Sequence, residues 1–78
     1  MWSEGIIRIA GNPETKCEYW VKHFDQPSEI WGIDGGRISK LEIRANGKTT
    51  CLYDRGWDTK PEDDATQQAY EQLMKKYN

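Results

Sequence analysis

Residues 32–40 read Gly-Ile-Asp-Gly-Gly-Arg-Ile-Ser-Lys. Glycines, an acid, a hydroxyl and two cations stand together, a set that suits a phosphate-cradling loop. The spacing fits neither established fingerprint. Gly32, Gly35 and Gly36 do not make a dinucleotide-binding Gly-x-Gly-x-x-Gly, and Arg37-Ile38-Ser39 opens a run of strand character where a phosphate loop needs Gly-Lys-Ser/Thr opening a helix. A loop that feeds a strand offers an anion no helix N-terminus. Two readings stay open: a plain hairpin turn, and a turn whose glycine amides form a small anion nest.

A second group lies at residues 53–64, Tyr-Asp-Arg-Gly-Trp-Asp-Thr-Lys-Pro-Glu-Asp-Asp. Asp54, Arg55, Trp57 and Asp58 crowd the junction between a strand and a helix, where Trp57 suits closing the end of the core. Arg37, Ser39, Asp54 and Arg55 form the candidate site there, because hairpin pairing sets Ser39 opposite Asp54 and Ile38 opposite Arg55. Catalysis finds little support. His23 is the only histidine, and Cys17 shares its side of a strand, but a Cys–His dyad also needs an orienting group and an oxyanion site. Glu62, Asp63 and Asp64 suit a helix N-terminus and lack the oxygen-ligand spacing of a calcium loop. Two cysteines make no zinc site. The expectation is no catalytic residue, no metal and no cofactor.

The elements that position these groups follow from turn chemistry. Gly11–Glu14, Asp25–Pro27, Asp34–Gly36 and Asn46-Gly47 punctuate five β-rich runs. Asn-Gly between two such runs is the strongest short hairpin signal, since a type I′ turn needs positive φ at both positions. From about Pro61 the chain reads as a helix. Thr59–Glu62 fits a capping box, Lys75 and Lys76 suit the C-terminal end, and Tyr70, Leu73 and Tyr77 recur at helical spacing. The predicted fold is α+β: an antiparallel four- to five-stranded meander with one C-terminal helix packed on one face, a single domain over residues 1–78.

Pairing the runs across their turns sets Ile9 opposite Lys16, Ile7 opposite Glu18, Trp20 opposite Ile33, Lys22 opposite Trp31, Leu41 opposite Leu52 and Ile43 opposite Thr50. Cross-strand partners share a face. Ile7, Ile9, Trp20, Phe24, Trp31, Ile33, Leu41, Ile43 and Leu52 then form the face beneath the helix. The other face collects Arg8, Lys40, Arg44 and Arg55 against Glu42, among Cys17, Tyr19, Val21, His23, Ile38, Cys51 and Tyr53. Three uses of it stay open. It could hold phosphates on its cations, with Tyr53 or Tyr19 stacked on a base; it could be a solvated face; or it could be the seam of a homodimer. Cys17 and Cys51, on the second and fifth runs, lie beyond disulfide reach.

Charged residues make up 31% of the 78 residues, at a formal net charge of −2. That balance gives no whole-molecule case for nucleic acid or a membrane surface. No segment approaches the ~20 apolar residues of a membrane helix, and a chain this short buries only ~60% of its unfolded surface. The site is therefore expected on a sheet face, in a shallow cleft or at a seam, in a cytoplasmic protein with free thiols.

The strings GIDGGRISKL (residues 32–41) and YDRGWD (residues 53–58) resemble a family of small proteins encoded by phages and prophages, chiefly of Gram-positive bacteria. No activity is established for that family, so the resemblance transfers no site residue. What it implies is context: compact phage accessory proteins often block a host factor, as anti-CRISPR and nucleotide-sequestering anti-defence proteins do. The combined expectation is a non-enzymatic accessory protein that binds stoichiometrically to a host protein, one of a defence system. The alternatives are a protein that sequesters a phosphate-bearing nucleotide and a structural or morphogenetic phage protein. The binding residues expected are Arg8, Arg37, Ser39, Lys40, Arg44, Tyr53, Asp54 and Arg55.

Overall fold

The computed structural model describes residues 1–78. Five strands follow one another, β1 (Trp2–Ile9), β2 (Thr15–His23), β3 (Ile38–Ala45), β4 (Lys48–Asp54) and β5 (Trp57–Thr59), and then a helix, α1 (Asp64–Tyr77). They form one open antiparallel meander in the order β1-β2-β3-β4-β5. The helix packs on one face against β1, β2 and β3. This is the predicted α+β architecture.

Two elements differ from the sequence reading. Residues 28–33 are not a strand. They belong to the connection between β2 and β3, which carries a single 3-10 turn at Ile33–Gly35. Ser28 curls the segment: its hydroxyl accepts from the Trp31 amide at 3.0 Å and its carbonyl accepts from the Gly32 amide at 2.9 Å. Only Ile33 plugs into the core, while Ile30 and Trp31 are exposed. The fifth strand is Trp57–Thr59, a three-residue edge. The helix begins later than the predicted capping box: Asp63 is its N-cap, accepting from the Thr66 amide at 2.7 Å. Thr59 lies in β5.

The register differs by one residue on both sides of the sheet, and this turns over the faces of β2 and β4 while β1 and β3 keep theirs. Ile9 pairs with Thr15 and Ile7 with Cys17. At the other hairpin, the turn forms as predicted, with φ of 51° at Asn46 and 86° at Gly47. Ala45 pairs with Lys48 and Arg44 with Thr49, but then Thr50 bulges, and Ile43 meets Cys51 and Leu41 meets Tyr53. A bulge places two residues against one and so reverses the alternation beyond it. Helix contacts hold it. The Thr50 and Thr66 hydroxyls are hydrogen-bonded at 2.6 Å, and the Glu62 amide donates to the Thr50 carbonyl at 3.0 Å.

The core beneath α1 is therefore Cys17, Tyr19, Val21, Ile38, Leu41, Ile43, Cys51 and Tyr53, closed by Ile9, Ile33, Ala69 and Leu73. Six of these twelve belong to the face predicted to be free. Trp20 and Leu52, predicted for the core, are half-buried on the opposite face, and Phe24 and Trp31 are exposed. Gly5 faces Tyr19 across β1 and β2, and a Cβ there would lie 2.8 Å from the tyrosine oxygen. The glycine leaves room for that ring under the helix.

The loop that supplies the glycine run is pinned by the last residue. The Asn78 side chain accepts from the Ile38 amide at 2.9 Å and donates to the Ile33 carbonyl at 3.2 Å. A Cβ on Gly36 would collide with that side chain, and one on Gly32 with the Gly36 carbonyl. Gly32 and Gly36 thus serve close packing of backbone and Asn78, while Gly35 supplies a positive φ of 71° in open space.

Candidate functional site

The face away from the helix carries no covering element. Alternation along β1, β2 and β3 directs Trp2, Glu4, Ile6 and Arg8, then Lys16, Glu18, Trp20 and Lys22, then Lys40, Glu42 and Arg44 to it, and the pairings Leu52–Glu42 and Asp54–Lys40 add those two from β4. Trp2 is 59% exposed and Ile6 51%. A shallow cleft of about 440 Å³ opens here, lined among others by Trp2, Trp20, Lys40, Glu42, Arg44 and Leu52.

Charges on this face are near balance: β2 turns Glu18 outward together with Lys16 and Lys22, Glu4 joins from β1 and Asp54 from β4, beside Glu42. Those of β3 and β4 are paired with one another, whereas Glu4, Lys16, Glu18 and Lys22 form no ion pair. The Arg44 guanidinium lies 4.9 Å over the Trp20 ring and donates to Glu42 at 2.9 Å. The Thr49 hydroxyl donates to the same Glu42 oxygen at 2.8 Å. Partial burial alone would raise the Glu42 carboxyl; the hydrogen bonds from Arg44 and Thr49 outweigh it and hold the group below its ordinary value. Lys40 reaches Asp54 at 3.6 Å.

The eight predicted binding residues do not converge on one site. Arg8, Lys40, Arg44 and Asp54 lie on the open face, with Arg8 bonded to Glu14 at 3.2 Å. Tyr53 is on the helix side, buried, its hydroxyl donating to the Trp31 carbonyl at 3.1 Å. Ser39 is buried and donates to the Lys22 carbonyl at 3.4 Å. Arg55 occupies the β4–β5 turn at a φ of 57°, 5.5 Å over the Trp31 ring and 3.7 Å from Asp54. Its amide reaches the Ser39 carbonyl at 2.9 Å, so Ser39, Asp54 and Arg55 do share one sheet end as predicted. Arg37 sits at the exit of the loop, its carbonyl accepting from the Phe24 amide at 2.9 Å. Ile6 lies on the open face, as the homodimer-seam reading had it, while Trp2, Trp20 and Leu52 were missed. Their signal was the polar company they keep, Glu4 and Arg8 in β1 and Lys16, Glu18 and Lys22 in β2.

On the helix side, His23 stacks on Tyr77 at 4.7 Å between ring centres, and its Nε2 lies 3.0 Å from the Ser3 hydroxyl. Cys17 faces the same side but is fully buried, and burial raises its thiol pKa. The Cys51 thiol, two strands away on β4, is pushed up to about 12 by burial. Both thiols are free.

The model of a domain of unknown function, DUF7678, matches residues 1–78. The chain belongs to that family. No curated protein and no solved structure matches it significantly. No helix is long and apolar enough to cross a membrane.

Proposed function

We propose that the domain acts by stoichiometric binding and that the open sheet face is its protein-docking surface. One observation carries this reading: Trp2, Ile6, Trp20 and Leu52 are left uncovered on the face away from the helix, among charges of both signs. Aromatic and aliphatic anchors inside a polar rim are the make-up of a protein interface. A phosphate-bearing nucleotide needs uncompensated cations, and Lys40 and Arg44 already hold Asp54 and Glu42. The resemblance to phage and prophage proteins supplies the setting: an accessory protein in the cytoplasm of a bacterial host, occupying a host protein of a defence system.

The test is affinity capture from a Gram-positive lysate with the wild type and Trp2→Ala/Trp20→Ala, followed by titration of the recovered protein. A stoichiometric partner is expected, bound at least ~30-fold more weakly by the variant if the tryptophans are anchors. Equal capture by both proteins, or no partner at all alongside a nucleotide-induced rise in melting temperature, refutes the reading.

A further inference from the structure

The two edges of the sheet are unequal. β5 is three residues long, whereas β1 runs for eight with nothing on its outer side. Its pairing with β2 has no irregularity. Proline, inward-pointing charge and bulges are the usual guards of an edge, and β1 has no proline and no bulge.

The direction of its backbone groups is fixed by the neighbouring bonds. The Met1 carbonyl accepts from the His23 amide at 2.9 Å, so Met1 turns its backbone toward β2. By alternation Ser3, Gly5, Ile7 and Ile9 do the same, and Trp2, Glu4, Ile6 and Arg8 turn their N–H and C=O groups to the free edge. Lys16 confirms the phase: opposite Arg8, it gives its carbonyl to the Asn46 amide at 2.9 Å, away from β1.

The four residues with free backbone also direct their side chains to the open face, in the order Trp, Glu, Ile, Arg. That order is self-complementary in an antiparallel sense. Centring two copies on Ile6 sets Ile6 against Ile6 and Glu4 against Arg8 twice. All of these pairs have outward-turned backbone, so each exchanges both ladder hydrogen bonds. Opposite charges directly across a strand pair are favourable and like charges unfavourable. Centring on Gly5 instead would set Glu4 against Ile6, and a centre on Ile7 would set Ile6 against Arg8; neither matches charge to charge. Arg8 now bridges Glu14, but both side chains are more than half exposed, at 60% and 52%, and such pairs hold weakly.

We propose that the chain forms a two-fold homodimer by antiparallel pairing of β1 with β1 of a second copy, centred on Ile6. The axis runs perpendicular to the sheet. It makes one continuous sheet, sets both helices on the same side and joins the two open faces. The pairing does not depend on what docks on that face.

Sedimentation equilibrium of the wild type, Glu4→Lys, Arg8→Glu and an equimolar mixture of the two variants tests it, with circular dichroism to confirm folding. The wild type is expected to be dimeric. Each variant sets like charges opposite one another twice and should dimerise at least ~10-fold more weakly. The mixture should recover the dimer, because Lys at position 4 of one chain meets Glu at position 8 of the other. A monomeric wild type, variants that dimerise as the wild type does, or a mixture that stays monomeric would each overturn the proposal.

Discussion

Substituting Thr50 by valine removes one hydroxyl from the core while keeping the shape of the side chain. Thr50 and Thr66 are 4% and 0% exposed and their oxygens are 2.6 Å apart. In Thr50→Val the Thr66 hydroxyl loses its partner in a site closed to water, at a cost of about 1–3 kcal/mol. For a domain of this size each kcal/mol lowers the melting temperature by ~4–8 °C, so a drop of roughly 5–20 °C is expected. Thr66→Val should cost about the same. The double variant replaces both partners with apolar groups of the same shape, which is close to neutral. It should therefore be more stable than either single variant, a coupling close to the sum of the two single losses, about 2–6 kcal/mol. Urea denaturation followed by tryptophan fluorescence measures all four proteins, with an unchanged slope showing that the denatured state is comparable. The bulge itself should survive, because the Glu62 amide bonds the Thr50 carbonyl and needs no side chain. If the double variant loses the sum of the two single losses, the hydroxyls do not depend on each other and the dry, paired site does not exist.

Gly36→Ala places a methyl group against the Asn78 side chain and unseats it, which orphans the Ile38 amide and leaves the Ile33 carbonyl with only the backbone amide of residue 36; thermal melts should show a loss of about 1–3 kcal/mol. Asn78→Ala should cost a similar amount. Stability should also fall in mild acid through His23, whose pKa lies below its ordinary 6.5 because partial burial, then the N-terminal ammonium and Arg37, disfavour the imidazolium against the pull of Asp25. The unfolded chain then takes up the proton first. The contribution is complete above about 6.5, declines as the pH drops below it, and levels off under the folded pKa. His23→Gln should flatten that slope in pH-dependent denaturation.

Turn chemistry was readable because it is local. Asn46-Gly47, the strands on either side of it and the meander order all follow from short-range signals, and so does the helix. The face assignment was not readable by the same route. It hangs on Thr50, whose bulge is held by Thr66 and Glu62 on the helix side, and no residue near Thr50 in sequence announces those contacts. In β2 the signal was present: Lys16, Glu18 and Lys22 alternate with Cys17, Tyr19 and Val21, and burying the second set is the cheaper choice. Counting back from the hairpin turns overrode it. The candidate site moved with the faces. Lys40 and Arg44 remained on the open side, Tyr53 went into the core, Glu18 came out together with Lys16 and Lys22, and Asp54 joined them. Residues 28–33 misled because alternating apolar residues also describe a loop that sinks one side chain, Ile33, and leaves its neighbours out.

The seat of Asn78 has a consequence for how the molecule opens. Residues 24–37 are closed by bonds of their own, Phe24 to Arg37 and Ser28 to Gly36 among them, but the loop is tied to the rest of the molecule by the Asn78 amide and the Tyr53 hydroxyl. The end of the helix and this loop, 45 residues apart at the Ile33 bond, therefore form one opening unit. Whenever the last helical turn lifts from the sheet, the loop loses its tie to Asn78, and amide exchange at Ile38 should report motion at the far end of the chain.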